Sequence, residues 1–290
     1  MIQLLLLVFL LIHCPCSSSF AEDDTIEKAA PVTKTAPEED ASGEVSKKVA
    51  KGREITLRDF GSDDLGFISL PMEAPLYGVL IIPDGYGLTD QVKAFCDTLA
   101  SQRAIALAVD LFNGKVATNA DDAAQMQKDL RDESAKRIVA AGLCLLTESP
   151  RLKADKVVVA TFGRQFNLVL SPDKKVEEKI VGATWFEPEG TFDGRLFRKS
   201  TLPIQIVSSR LSVPQSDFIK ALEKNVIPER QKITFVDLHM APLGFVLSGK
   251  ALKEQMTART QAMDFWEKCA KGAYVKERNI FQKFIDSIVD

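Results

Sequence analysis

Apolar and polar positions along this chain fall into two alternating rhythms. Tyr77-Gly-Val-Leu-Ile-Ile82 is an unbroken apolar run that stops at Pro83-Asp-Gly-Tyr-Gly87. A short run bounded by turn residues predicts a strand buried on both faces. The period then changes. Val92, Phe95, Cys96, Leu99 and Ala100 recur at helical spacing, which predicts an amphipathic helix with one face on a sheet. The alternation continues with a predicted strand over Ala104–Val109, helices over Asp121–Lys128 and Asp132–Leu146, a strand over Lys156–Ala160 and a helix over Phe166–Leu170. Strands are then expected at Val181–Phe186, Ile204–Ser208 and Lys232–Leu238, and helices at Ser216–Lys224, Lys250–Ala270 and Glu277–Ile288. Upstream, Ile55–Phe60 and Leu65–Leu70 flank Gly61-Ser-Asp-Asp64 and read as a hairpin.

Strands that alternate with helices imply an α/β domain with a largely parallel sheet covered on both faces. In such sheets ligands bind at the carboxyl ends of the strands. The predicted ends are Pro83-Asp84, Asp110, Ala160-Thr161, Ser208-Ser209 and Leu238-His239. These form a geometric shortlist of site residues.

The periodic pattern covers only part of the chain. Leu4–Ile12 is apolar without interruption, and Ser19-Phe20-Ala21 then places small residues around a cleavage position before Glu22. This is the layout of a secretory signal peptide over residues 1–21, with an apolar segment too short to span a hydrocarbon core of about 30 Å. No transmembrane span is expected after cleavage, and the mature chain is expected to be exported, periplasmic or secreted. Residues 22–52 are rich in Glu, Lys, Ala, Thr, Ser and Pro and poor in large apolar side chains. They read as a disordered tether, because burial there cannot offset the entropy of ordering. The folded domain is expected over 53–290.

Composition narrows the function classes. The 290 residues carry a net charge of −3, without the basic footprint that a phosphate backbone requires, so nucleic-acid binding is not expected. Cleavage would leave Cys96, Cys144 and Cys269, an odd and scattered set, and His239 as the one histidine. Neither a disulfide framework nor a metal site is expected from these, and no cofactor motif is present.

The stretch Gly78–Leu130 resembles the dienelactone hydrolase family of the α/β-hydrolase superfamily. The likeness rests on Pro83-Asp-Gly-Tyr-Gly-Leu-Thr-Asp90, on Leu99-Ala-Ser-Gln-Arg-Ala-Ile-Ala-Leu-Ala-Val-Asp-Leu-Phe112, and on Asn113-Gly-Lys-Val-Ala-Thr118 with the acidic-alanine run after it. The resemblance implies an α/β-hydrolase fold over roughly residues 54–288 and a Cys, His and Asp triad. Each triad position departs from that pattern. The nucleophile turn reads Val159-Ala-Thr-Phe-Gly-Arg164, with Thr161 in the place of the cysteine. The acid's loop, Ser208-Ser-Arg-Leu-Ser-Val-Pro214, puts Arg210 where a carboxylate is needed. Leu243-Gly-Phe245 matches the family's His-x-Phe motif with Leu243 replacing the base, while His239 lies four residues upstream. Asp84 matches a carboxylate that the family holds near its nucleophile.

Three functional readings follow. One is an exported, catalytically inactive hydrolase-like protein that binds a small ligand or a protein partner. A second is an ester or lactone hydrolase on a rebuilt site, with Thr161 or Ser209 as nucleophile and His239 as base. A third is a structural envelope protein. Losing triad members costs on the order of 10⁴ to 10⁶ in turnover, which favours the first. If the cleft binds a ligand, Arg164 and Arg210 near the central strand suggest a small anion.

Overall fold

The sheet follows the predicted runs closely. In the computed structural model, which describes residues 51–170, 179–190, 192–209, 221–222, 224–225, 232–238, 241–242, 244–249 and 253–274, the strands are β1 (Arg53–Thr56), β2 (Leu65–Ser69), β3 (Tyr77–Ile82), β4 (Ala104–Val109), β5 (Val157–Phe162), β6 (Ile180–Phe186), β7 (Ile204–Ser208) and β8 (Ile233–Asp237). The helices are α1 (Asp90–Ser101), α2 (Ala120–Asp129), α3 (Asp132–Glu148), α4 (Asn167–Leu170), α5 (Gly194–Lys199) and α6 (Lys253–Ala270). The eight strands form one sheet in the order β1-β2-β4-β3-β5-β6-β7-β8. β1 and β2 pair antiparallel, as do β2 and β4, whereas the pairs from β4 through β3 to β8 are parallel.

Side-chain alternation along the strands splits the core into two layers. Leu80, Ile82, Leu107, Val157 and Val159 face α3, α4 and α5, where Ile138, Leu143, Leu146 and Phe197 cover them. Val79, Ile81, Ala106, Val158, Ala160 and Phe162 face α1 and α6, against Phe95, Leu99, Phe265 and Trp266. Each large side chain sealed in this way contributes roughly 1.5–3 kcal/mol. Helix starts follow from local chemistry. Thr89 accepts from the Val92 N–H at 3.3 Å to cap α1, and Asn119 accepts from the Asp122 N–H at 2.9 Å to cap α2.

Three differences from the expected elements matter. The first predicted strand is shorter, because the chain turns into a 3-10 turn at Arg58–Phe60 after β1. β5 runs two residues further than expected, through Thr161 and Phe162. α4 is a single turn, Asn167–Leu170. The predicted helix at Glu277–Ile288 lies outside the described residues, as do most of Ser216–Lys224 and the first three residues of Lys250–Ala270. Where the domain begins, Asp97 on α1 accepts from the Gly52 N–H at 2.8 Å and from the Ser69 hydroxyl, so β1 and β2 are tied to the helical layer.

Candidate functional site

The carboxyl ends of β3, β5 and β6 and the connection from β8 to α6 enclose a cleft of about 520 Å³, lined by Asp84, Tyr86, Phe162, Gly163, Glu187, Glu189, Gly244 and Leu247 among others. This is where an open parallel sheet leaves room for a ligand. Its floor is a sharp turn. β5 ends at Phe162, and Gly163 follows with φ +59°, a left-handed backbone. The Gly163 N–H donates to the Phe186 carbonyl at 3.1 Å, while its own carbonyl accepts from the Trp185 indole N–H at 2.6 Å and from the Glu189 N–H at 3.3 Å. Stacking of Phe162 on Phe186, with centroids 5.0 Å apart, fixes the turn from below.

The side chains around this turn are acidic. A Cβ built on Gly163 would lie 3.5 Å from the Asp84 Cβ and 3.9 Å from the Glu189 carboxyl carbon. Asp84 is the one family-matched residue that the described structure brings to the turn. Its Oδ1 accepts from the Tyr86 N–H at 2.9 Å, which shapes the Asp84–Gly87 loop; Thr89, not Asp84, caps the helix that follows. Burial raises the Asp84 pKa, the Tyr86 N–H opposes that, and the negative charge of Glu189 adds to it.

Glu187 is the most perturbed of the three. It takes φ +48°, which is uncommon for a residue with a side chain. Half-buried, it accepts from the Gly244 N–H at 2.7 Å on Oε2 and from the Val246 N–H at 3.1 Å on Oε1. Burial lifts its pKa to about 7; the two N–H groups pull it down, and Asp84 and Glu189 push it up. The shortlist of strand ends left this residue out, although Glu187-Pro-Glu-Gly190 follows directly on the predicted end of β6 at Phe186. Reading every strand end would have found it.

Thr161 stands elsewhere. It lies inside β5, paired in register with Ile82 and Trp185, fully buried, and its hydroxyl has no hydrogen-bond partner among the described residues. It does not line the cleft. The sharp backbone turn after β5 falls at Gly163, two residues beyond Thr161. β5 extends past Thr161 because Thr161 and Phe162 are good strand formers with apolar neighbours. Ser209, the other nucleophile considered, is buried and donates to the Ala241 carbonyl at 2.5 Å, tying the end of β7 to the loop after β8. Asp110 is likewise engaged locally, accepting from the Phe112 N–H at 2.8 Å and from the Gly114 N–H. Arg210, His239 and Leu243 lie outside the described residues.

The anion-binding expectation named Arg164 and Arg210, of which only Arg164 is described. Arg164 follows the turn, but its side chain is 63% exposed and its Nε sits 3.8 Å from Glu189. It borders a separate surface depression beside Lys128 and Asp132. The helix after it is a single turn, too short for a substantial end charge. Among the described residues the cleft lining carries three carboxylates and no cation. No group of three or more His, Cys, Asp or Glu among the described residues is arranged to hold a metal ion. No helix among them is long and apolar enough to cross a membrane.

Strand order, the antiparallel second strand and the sharp turn after β5 together decide the architecture. The fold is that of an α/β-hydrolase. Residues 65–192 match the model of the dienelactone hydrolase family, as the resemblance implied. No curated protein matches the chain by sequence. Among solved structures it is similar to a dienelactone hydrolase from Anabaena variabilis, with TM-score 0.57 and 13% identity over 75% of this chain and 97% of that one. It is also similar to a dienelactone hydrolase-like promiscuous phosphotriesterase from metagenomic libraries, with TM-score 0.60 and 18% identity over 81% of this chain and 98% of that one. At this identity the likeness establishes the fold, and the dienelactone-hydrolase-like domain must be read from its own site.

Proposed function

We propose that this is an exported, catalytically inactive dienelactone-hydrolase-like protein whose cleft binds a small ligand or a segment of a protein partner. The observation that carries the reading is the residue at the turn. Gly163 offers no side chain at the turn where the fold presents its nucleophile, and the side chains nearest to it there are the carboxylates of Asp84 and Glu189. Carboxylates beside that position would raise the pKa of any nucleophile and repel the oxyanion of an acyl-transfer transition state. They also turn away anions, so the ligand favoured here is neutral or cationic rather than the small anion first expected. The signal-like segment over residues 1–21 supports export.

The competing reading, a hydrolase rebuilt on Thr161 and His239, needs the Thr161 hydroxyl to meet a substrate. That hydroxyl is sealed in the strand, away from the cleft lining. The test is turnover of lactones, p-nitrophenyl esters and phosphotriesters by the purified mature chain. Rates at buffer background are expected. A rate well above background that Thr161→Ala and His239→Ala both abolish would establish the rebuilt enzyme instead. N-terminal sequencing of protein from the native host should begin at Glu22; a chain that begins at Met1 would overturn export.

A further inference from the structure

We propose that the depression bordered by the end of α2, the start of α3 and the segment after the β5 turn is a docking site for a carboxylate that sits next to a peptide amide. It encloses about 450 Å³ and shares no lining residue with the cleft, so its role does not depend on what the cleft binds. Gln165 carries the inference. It is only 8% exposed, yet it lines the depression. Its backbone is satisfied: the N–H donates to the Phe162 carbonyl at 3.4 Å, and the carbonyl accepts from the Leu168 N–H at 3.1 Å. Its side-chain amide bonds to no other described residue. Polar side chains this deeply buried are otherwise paired almost everywhere in folded proteins. An amide brought here without a partner is placed for one that arrives from outside.

The groups around Gln165 say what arrives. Lys128, in the last turn of α2, forms no ion pair among the described residues. Arg164 has only a loose contact of 3.8 Å with Glu189, beyond hydrogen-bond reach. An arginine fork binds a carboxylate through two parallel N–H bonds. The stem of Arg164 is laid down for this: it crosses Gly190, where an added Cβ would lie 3.4 Å from its Cγ and 3.5 Å from its Cδ. Gln127 is held likewise, since a Cβ on Gly85 would stand 2.7 Å from its Cγ. Gln127 and Gln165 each offer an N–H donor and a carbonyl acceptor, which match the C=O and N–H of a peptide group. Asp132 adds an acceptor for a ligand N–H, and α3 begins there with no side chain capping its first turn, so the helix end adds positive potential. Two cations against one carboxylate leave this lining net positive, opposite in sign to the cleft with its three carboxylates. That sign selects an anion, and the two amides select a neighbouring peptide group. An acidic side chain within a peptide supplies the pair, as does the carboxyl terminus of a chain.

Calorimetry on the full chain with three short N-acetylated peptides tests this. The first carries an internal glutamate and an amidated end, the second contains only alanine and ends in a free carboxylate, and the third is the first with glutamine in place of glutamate. At least one of the two carboxylate peptides should bind, and the tighter of them identifies the source. The glutamine peptide should bind more weakly than that one by on the order of tenfold or more. Raising the ionic strength from about 0.05 M to about 0.3 M should weaken binding several-fold. Arg164→Ala and Gln165→Leu should each weaken it by on the order of tenfold, whereas Lys136→Ala, which removes an exposed cation of α3 outside the depression, should leave it unchanged. No heat from either carboxylate peptide at millimolar concentration, equal binding of the glutamine peptide, or undiminished binding in Arg164→Ala and Gln165→Leu overturns the site. Should Gln165→Leu fail to fold, the side-chain amide resonances of Gln165 in the wild type replace it; they should shift on titration with the peptide that binds, and unmoved resonances overturn the site.

Discussion

Replacing Thr161 with valine should make the domain more stable. The Thr161 side chain is fully buried in β5 on the layer that contains Val157 and Val159, between Ile82 on β3 and Trp185 on β6. Its hydroxyl has no partner among the described residues. A buried hydroxyl left unpaired costs about 1–3 kcal/mol of desolvation. Thr161→Val removes that cost, keeps the β-branched shape, and buries one more methyl, which adds up to about 0.8 kcal/mol. Val and Ile neighbours suit it, and strand propensity does not suffer. Repacking around the larger methyl returns part of the gain. The net expectation is a stabilisation of about 1–2 kcal/mol, which in a domain of this size raises Tm by roughly 2–4 °C for each kcal/mol. Thr161→Ala, which removes the hydroxyl but leaves a void, should fall below the valine variant by about 1 kcal/mol or more. Urea denaturation of the wild type and both variants reads the differences directly. A valine variant less stable than the wild type by more than about 0.5 kcal/mol would refute the reasoning, because it would mean that the hydroxyl is satisfied and useful.

Glu187 has a folded pKa raised to about 7 from an ordinary 4.5, so its contribution to stability is present in full below pH 4.5 and is lost as pH rises through about 7. Glu187→Gln should therefore gain on the wild type between about pH 4.5 and about pH 8 by up to roughly 3 kcal/mol; denaturation curves whose difference is the same at both pH values would sink this. Asp193 caps α5 by accepting from the N–H groups of Arg195 at 2.8 Å and Leu196 at 3.3 Å, and Asp193→Ala should lower the urea midpoint of the domain; an unchanged midpoint would show the cap to be idle. Gly163→Cys should fold with a penalty of about 1–2 kcal/mol for a side chain at positive φ, and its thiol, facing Asp84 and Glu189, should titrate above the usual value of about 8.5. Thiolate absorbance measured against the parent chain reads that pKa, and a depressed value would contradict the acidic character assigned to the cleft.

The fold was legible in the sequence because it rests on patterns that many residues repeat. Leu80 and Ile82 against Val79 and Ile81, and Val157 and Val159 against Val158 and Ala160, are apolar on both faces of a strand, and that requirement writes itself as an unbroken run. The helix over α1 was equally plain, since Val92, Phe95, Cys96 and Leu99 seal one face. The site was harder to see, because single residues carry it. Asp84 could be found from the end of β3. Glu187 could not be found from type or period, since a glutamate in left-handed backbone has no sequence signature; only its place after β6 marks it. The turn over Val159–Arg164 was legible, but the residue in it that bends the chain was not, since only a φ angle marks Gly163.

The turn at Gly163 also shows how a bend at the end of a buried strand is held. Glycine takes the left-handed backbone there without strain, and what holds the bend is a set of ordinary structural bonds. The Gly163 carbonyl takes the Trp185 indole and the Glu189 N–H, its N–H binds the Phe186 carbonyl, and Phe162 stacks on Phe186. None of these contacts depends on chemistry in the cleft. Trp185 in turn stacks on Phe166 with centroids 4.4 Å apart, so the bend is wired into the layer beneath α4. The geometry of the turn is thus secured by packing and hydrogen bonds rather than by the acidic side chains above it. The cleft above it, floored by Gly163 and walled by Asp84, Glu187 and Glu189, is therefore built by groups separate from those that fold the turn, so its walls can be substituted without losing the bend.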